Sequence, residues 1–124
     1  MADGKKILIV EDDTYTRELY EEVLKEEGFE VTSAVDGEEG LVKAKQGGFH
    51  LILLDLMMPK LDGIGFLKGL KDSNPEKVNG KVVLLTNLAH DPVIKEGMSL
   101  GANAYLIKSD LNPEELVKKV RNFL

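Results

Sequence analysis

The sequence predicts an α/β fold with a doubly wound sheet of five parallel strands, and three observations lead to this prediction. First, four short apolar runs lack polar alternation, which is typical of strands buried on both faces. Second, stretches with helical periodicity separate these runs. Third, capping residues stand where those helices would begin or end. The four apolar runs are residues 7–10, 51–54, 82–85 and 104–107.

The first half of the chain predicts two strands, each followed by a helix. After the run 7–10, an apolar stripe at helical spacing ends before Gly28, which stands where a C′ glycine would end the helix. Residues 29–34 alternate only in part and predict an edge strand. Asp36 with Glu39 resembles a capping box and opens the second helix. The stripe of the first helix consists of Leu19, Tyr20, Val23 and Leu24.

The second half continues the alternation of strands and helices. Polar residues 72–80 predict a loop within the same domain. Asp91 and Pro92 predict an N-cap and a first-turn proline, opening a helix that runs to about residue 100. Asn112 with Glu115 resembles a second capping box. The apolar stripe of the last helix consists of Leu116, Val117, Val120, Phe123 and Leu124.

Composition limits the classes of function. A length of 124 residues fits one domain, 1–124, and the net charge of −6 argues against direct nucleic-acid binding. The absence of cysteine excludes disulfides and thiolate chemistry. No run approaches the roughly 18 apolar residues that span a bilayer, and the N-terminus does not resemble a signal peptide. We therefore expect a cytoplasmic protein without membrane contact.

Polar residues follow four of the predicted strands, where ligands bind in open α/β sheets. Clustered carboxylates hold a cation or raise a pKa, and carboxylate oxygens suit Mg²⁺. A lysine and a hydroxyl at the same edge suit phosphoryl oxygens, and an aspartate is a nucleophile for phosphoryl transfer. The pattern therefore predicts formation of an aspartyl phosphate. The residues concerned are Glu11, Asp12 and Asp13, then Asp55, Thr86 and Lys108.

Five motifs, in order and spacing, resemble the receiver domain of two-component response regulators, in particular the stand-alone, chemotaxis-regulator-like kind. The resemblance covers essentially the whole chain. It implies a flavodoxin-like sandwich with strand order 2-1-3-4-5. The motifs are residues 7–13 (ILIVEDD) with Arg17 after them, 53–59 (LLDLMMP), 61–63 (LDG), 84–86 (LLT) and 101–108 (GANAYLIK).

The resemblance implies a role for each matching residue. Asp55 would be the phosphoacceptor, and Thr86 and Lys108 would contact the phosphoryl oxygens. Thr86 and Tyr105 would form the switch pair. The Mg²⁺ ligands would be Asp12, Asp55 and the backbone carbonyl of Met57, with Glu11 acting through a bound water.

The resemblance also implies partners. A histidine kinase or histidine phosphotransfer protein would donate the phosphoryl group, and a downstream protein would read the surface of the fourth helix, fifth strand and fifth helix. A phosphorylation-dependent dimer through that surface is left open. The chain would catalyse only its own phosphorylation and dephosphorylation, so it is not expected to be an enzyme in the usual sense.

Two positions depart from the family pattern. Ser109 replaces a proline that is usually joined to the preceding lysine by a cis bond, which costs roughly 2.5–4 kcal/mol before other residues. We therefore expect either a trans bond with an altered loop or a strained cis bond. Asn87 replaces a small residue beside the phosphate site. In addition, Met57 and Leu88 are apolar at positions that flank the hydrolytic water, which predicts slow autodephosphorylation.

Simpler interpretations stand beside these. Asp13 could serve only as a helix cap, and His50 and His90 have no second ligand at metal spacing. One alternative function is a receiver-like adaptor that binds partners without phosphorylation. A phosphohydrolase of the haloacid-dehalogenase type would require a second aspartate where Met57 stands. A flavodoxin-like cofactor binder would require a phosphate loop after the first strand, and the sequence has none there.

Overall fold

The computed structural model describes residues 4–73, 78–87 and 92–124. Within these ranges, five strands alternate with five α-helices, and one 3₁₀ turn follows the last strand. The strands are β1 Lys6–Val10, β2 Glu30–Ala34, β3 Leu51–Asp55, β4 Lys81–Thr86 and β5 Ala104–Ile107. The helices are α1 Thr14–Glu26, α2 Gly37–Gln46, α3 Gly63–Lys71, α4 Pro92–Ser99 and α5 Pro113–Phe123, and the 3₁₀ turn is Lys108–Asp110.

The strands form one parallel sheet in the order β2-β1-β3-β4-β5, which confirms the predicted fold class and strand order. The register pairs Ile7 with Leu51, Leu51 with Lys81, and Val83 with Ala104. The order reverses direction between β1 and β3, so a crevice opens at the carboxyl ends of these two strands.

Both faces of the sheet are buried, which is why the strand runs lack polar alternation. Leu8 and Val10 pack with the cluster under α2, α3 and α4, whereas Ile7 and Ile9 pack with the cluster under α1 and α5. All four residues are completely buried. Each such side chain contributes about 1.5–3 kcal/mol relative to an exposed one.

Within the described residues, four helices begin at a side-chain cap, and each cap accepts a hydrogen bond from the backbone N–H three residues later. This bond satisfies one of the N–H groups that the first turn leaves without a partner, and it contributes about 1 kcal/mol. The predicted caps at Asp36 and Asn112 are confirmed, whereas the α3 cap at Asp62 was not foreseen. Glu39 reaches back to the N–H of Val35 at 3.0 Å. The four caps are Asp13, Asp36, Asp62 and Asn112.

Element boundaries differ from the prediction by a residue or two. Phe29 was predicted to open β2, but its N–H donates to the carbonyl of Leu24 at 3.2 Å and therefore belongs to the turn that ends α1. Gly28 has φ 93°, as the predicted position after a helix requires. The predicted cap at Asp91 and part of the predicted loop 72–80 lie outside the described residues. Among the residues that are described, no helix is long and apolar enough to cross a membrane.

Candidate functional site

The ends of four adjacent strands bring the predicted site residues to one edge of the sheet. Glu11 directly follows β1, Asp55 ends β3, Thr86 ends β4, and Lys108 directly follows β5. Because β1, β3, β4 and β5 are neighbours in the sheet, these residues converge, as predicted. The strand β2 lies at the outer edge and contributes none of them.

Three carboxylates form the centre of this site. Glu11, Asp12 and Asp55 each offer one oxygen, and these oxygens lie within 4.8 Å of one another. Glu11 is fully buried, and Asp55 is 4% exposed. Asp12 is the most accessible of the three. When ionised, three carboxylates this close repel one another unless a cation lies among their oxygens.

In the structure, the ammonium group of Lys108 is that cation. Its Nζ lies 2.5 Å from Oε1 of Glu11 and 3.2 Å from Oδ1 of Asp55. Burial works against the charge on Lys108, but the contact with Glu11 and the charge of Asp55 outweigh burial and raise the pKa of Lys108. The lysine therefore stays positive and supplies one charge against three carboxylates.

The pKa of Asp55 is raised to about 8 in the absence of a metal ion. Burial is the main cause, the neighbouring Glu11 adds to it, and Lys108 opposes it. A single lysine thus leaves the site short of positive charge, and the carboxylic acid form of Asp55 is favoured. A divalent cation among the oxygens would reverse this balance.

The donor set fits a hard divalent cation. Oε1 of Glu11 is the one buried side-chain polar atom in the described residues without a hydrogen bond, and its contact with the ammonium of Lys108 is an ion pair. Several carboxylate oxygens at one open site, with room for water, are the ligands that Mg²⁺ prefers. The residues present therefore suit Mg²⁺.

A cavity of about 370 Å³ opens over the carboxylates. Met57 lies at its side, with 69% of the residue exposed, and its N–H donates to Oδ1 of Asp55 at 3.3 Å. Asn87 also lines this cavity, so the departure from the family pattern faces the site. A larger surface groove, about 740 Å³, lies between α1 and α5, but none of the strand-end residues reaches it.

Asp13 and Thr16 also line the cavity. Oδ2 of Asp13 caps α1, accepting from the N–H of Thr16 at 2.9 Å and from its hydroxyl at 2.6 Å. These bonds lower the pKa of Asp13. The cap function considered from the sequence is therefore present. Thr16 was not foreseen; its signal in the sequence is its spacing of three from an N-cap aspartate.

The predicted switch residues lie on one face of the sheet. Thr86 is 4% exposed, and its register partner is Ile107 on β5. Tyr105 precedes Ile107 by two residues and therefore lies on the same face of β5. Tyr105 is 42% exposed and does not line the cavity. The bond between Lys108 and Ser109 is trans, the first of the two predicted geometries, and a 3₁₀ turn begins at Lys108.

Comparison with known proteins gives a consistent result. The model of the response regulator receiver domain matches residues 7–121. The probable chemotaxis protein CheY of Rhizobium etli is 37% identical over 109 residues, covering 87% of this chain and 84% of that protein. The gliding motility regulatory protein of Myxococcus xanthus is 36% identical over 96% of this chain. The chain spans only 15% of that protein and 48% of the probable transcriptional regulator ycf27 of Porphyridium aerugineum.

Solved structures agree. The response regulator protein TrrA of Thermotoga maritima, in complex with Mg²⁺ and BeF, is 35% identical with a TM-score of 0.79, covering 97% of this chain and 99% of that one. The CheY-like receiver domain protein of Methanospirillum hungatei is 32% identical with a TM-score of 0.83, covering 95% and 91%. The chain therefore belongs to the response regulator receiver domain family, whose members are phosphoacceptor switches of two-component signalling.

Proposed function

We propose that this chain, as a single receiver domain over residues 1–124, accepts a phosphoryl group on Asp55 in a Mg²⁺-dependent reaction. The donor would be a histidine kinase or a histidine phosphotransfer protein. One observation carries the proposal: the carboxyl group of Asp55 is buried at a strand end, beside Glu11 and in contact with Lys108, beneath an open cavity. Receiver domains are signalling switches, and the only catalysis proposed here is the chain's own phosphorylation and dephosphorylation.

Asp12, Asp55 and the backbone carbonyl of Met57 would hold the Mg²⁺ ion, with Glu11 acting through a water. The carboxylate oxygens within 4.8 Å of one another support this assignment. When bound, the ion supplies the positive charge that the site lacks and neutralises phosphoryl oxygens. Lys108 would then leave its present contact with Glu11 and turn toward the incoming group.

In the reaction, a carboxylate oxygen of Asp55 attacks the phosphorus of a phosphohistidine. The new O–P bond forms as the P–N bond breaks, and the imidazole nitrogen leaves with the bonding electrons and takes up a proton. The ammonium of Lys108 and the hydroxyl of Thr86 would receive the phosphoryl oxygens. Positioning and charge neutralisation are the main contributions in such transfers.

The output surface would comprise α4, β5 and α5. Thr86 moving toward the phosphoryl group would let Tyr105 change its rotamer. Three large apolar side chains that the fold leaves exposed support this choice, because one lies on α4, one on β5 and one directly after the end of α5. They are Met98, Tyr105 and Leu124, which are 37%, 42% and 42% exposed. A downstream protein would bind this surface.

The test is incubation with acetyl phosphate and Mg²⁺, followed by intact mass measurement. We expect the mass of one phosphoryl group on the wild type, none on Asp55→Asn, and none on the wild type when EDTA removes Mg²⁺. An exposed-carboxylate control, Asp72→Asn, should label as the wild type does. Absence of an adduct on the wild type, together with absence of any Mg²⁺-dependent NMR shift, would overturn the proposal and favour an unphosphorylated adaptor.

A further inference from the structure

We propose that Arg17 is a positioning residue for the metal-binding carboxylates, acting on the backbone of the loop that carries Glu11 and Asp12. The inference rests on the proposed Mg²⁺ site. Nη1 of Arg17 donates to the carbonyl oxygen of Glu11 at 2.9 Å and to that of Asp12 at 3.3 Å. One guanidinium thus joins the two consecutive peptide groups that set the direction of both side chains.

These two carbonyls lie beyond the regular structure on either side. The loop leaves the sheet after Val10, and the α1 helix begins at Thr14. The N–H of Glu11 donates to the carbonyl of Ala34 at 3.2 Å, which holds the start of the loop against β2. The carbonyl of Asp13 accepts from the N–H of Arg17 at 2.9 Å, within the first turn of α1. The guanidinium of Arg17 supplies the hydrogen bonds for the two carbonyls between these points, those of Glu11 and Asp12.

The side chains of the loop depend on this arrangement. Oε2 of Glu11 accepts from the N–H of Asp13 at 3.2 Å, so the peptide group after Asp12 fixes the carboxylate of Glu11. A rotation of that peptide group would move both the N–H and the carbonyl held by Arg17. Loss of the guanidinium would therefore release Glu11 and Asp12 together.

Within the described residues, Arg17 makes no other strong side-chain interaction that would explain its position. It is half-buried, it forms no ion pair there, and its other contact is a long one of 3.5 Å from Nη2 to the hydroxyl of Thr14. A half-buried cation without a carboxylate partner, beside an acidic site, would ordinarily oppose the binding of a second cation. Its guanidinium donates to backbone carbonyls and not to a carboxylate, which is consistent with a geometric task.

A charge effect and a positioning effect predict opposite changes in the Mg²⁺ affinity of Arg17→Met, which makes the inference testable. If Arg17 acted only through its charge, Arg17→Met would bind Mg²⁺ more tightly and Arg17→Lys would equal the wild type. If Arg17 positions the loop, both variants bind more weakly, because a lysine keeps the charge but lacks the planar fork of donors. We expect Mg²⁺ binding about tenfold weaker in Arg17→Met, the size usual for groups that orient metal ligands.

The experiment is calorimetric titration of the intact, metal-free chain with MgCl₂, with urea unfolding of every variant alongside. The matched control is Arg121→Met, since Arg121 on α5 forms an exposed ion pair with Glu27 at the end of α1, and its loss should leave the Mg²⁺ affinity unchanged. A second readout is labelling by acetyl phosphate across Mg²⁺ concentrations. The Arg17 variants should approach the wild-type rate at saturating Mg²⁺.

The outcomes separate this inference from the proposed function. A wild type that binds no Mg²⁺ overturns the proposed site itself. A wild type that binds while Arg17→Met and Arg17→Lys bind equally well, or more tightly, overturns the role of Arg17 alone. If Arg17→Met fails to fold, Arg17→Lys decides: weaker Mg²⁺ binding supports the role of Arg17, and wild-type binding overturns it.

Discussion

The Nζ atom of Lys108 lies 3.2 Å from Oδ1 of Asp55, so the ammonium contacts the carboxyl group of the proposed phosphoacceptor directly. The same atom contacts Glu11 at 2.5 Å. Without a metal ion, this lysine is the counter-ion of the site. It stands to compete with Mg²⁺ for the carboxylates before phosphorylation, whereas afterwards it would bind the phosphoryl oxygens.

Replacing Lys108 by Met should therefore change two properties in opposite directions. We expect Lys108→Met to bind Mg²⁺ several-fold more tightly, because a neighbouring positive charge is removed. Labelling of Asp55 by acetyl phosphate should become slower, because the ammonium group that would bind an oxygen of the transferred phosphoryl group is lost. Titration calorimetry and intact mass measurement test the two effects. Lys118→Met, an exposed lysine on α5, is the control, and unchanged Mg²⁺ affinity in Lys108→Met would contradict the competition.

The buried carboxyl of Asp55 should make the metal-free protein less stable as the pH rises. Its pKa is raised from 3.8 to about 8, so between these values the folded protein holds a proton that the unfolded chain has released. This contribution is fully present below about pH 4 and is lost as the pH rises through about 8.

Asp55→Asn lacks this titration, so its stability should depend less on pH. In EDTA at pH 8 we expect it to exceed the wild type by about 0.5–2 kcal/mol, a common gain when a strained functional group is removed. Near pH 4 the difference should shrink. Urea unfolding at several pH values measures both. A constant difference across the range would show that the charge of Asp55 is not the cause.

Gly63 packs against the backbone of Asp55 and Leu56, and Gly63→Ala should destabilise the protein. A Cβ at this position would lie 2.8 Å from Cα of Leu56 and 3.0 Å from the carbonyl oxygen of Asp55. These are backbone atoms, so the loop itself must shift, at a cost of about 1–3 kcal/mol.

Gly65→Ala is the matched control on the same helix. Its Cβ would meet Cδ1 of Leu61 at 2.4 Å, but that atom ends a flexible side chain that is able to rotate away. Alanine also favours a helix over glycine by about 1 kcal/mol. We expect Gly65→Ala to be near neutral in urea unfolding. Equal losses in the two variants would refute the argument from the backbone contact.

The sequence predicts the sheet well because the strand runs are short, apolar and each followed by a polar residue. Glu11, Asp55, Thr86 and Lys108 were all found by that rule, and the structure places each at its strand end. Lys108 bridging to Glu11 was not predictable, because the partner of a long flexible side chain depends on distances that spacing along the chain does not give.

The proposed role of Arg17 was not predictable for a related reason. The sequence marks it only as part of a motif, and its partners are backbone carbonyls, which carry no side-chain signature. The cap at Asp62 was missed because no glutamate follows at the third position to complete a capping box. Local hydrogen bonds to the backbone are the least visible feature in a sequence.

Lys60 adopts a left-handed backbone conformation, with φ 66°, in the loop between β3 and α3. That region costs a residue with a side chain about 1–2 kcal/mol, whereas glycine enters it freely. After allowance for the greater freedom of glycine in the unfolded chain, we expect Lys60→Gly to raise the free energy of unfolding by about 0.5–1 kcal/mol.

Lys60→Ala is the control, since it removes the lysine but keeps the strain. The contact between Lys60 and Asp36 is long, 3.7 Å, and the lysine is largely exposed, so its loss should matter little. Urea unfolding of both variants separates the two effects. A Lys60→Ala variant as stable as Lys60→Gly would show that the side chain, and not its backbone, was the source of the cost.

Met57 should slow the loss of the phosphoryl group from Asp55. It is 69% exposed at the side of the site cavity, and its thioether cannot orient a water for attack on the aspartyl phosphate. Leu88, the second residue predicted to flank that water, lies outside the described residues. We expect Met57→Asn to shorten the lifetime several-fold, since an amide is able to hold a water by hydrogen bonds.

The measurement is decay of the labelled mass after the donor is removed, at saturating Mg²⁺ so that metal affinity does not enter. Val42→Asn places the same amide on an exposed apolar position of α2, 63% exposed, and should leave the decay unchanged. A wild-type phosphoryl group that is already short-lived, with no acceleration in Met57→Asn, would mean that water reaches the site by a path that Met57 does not border. In that case Asn87, which lines the same cavity, is the next side chain to replace.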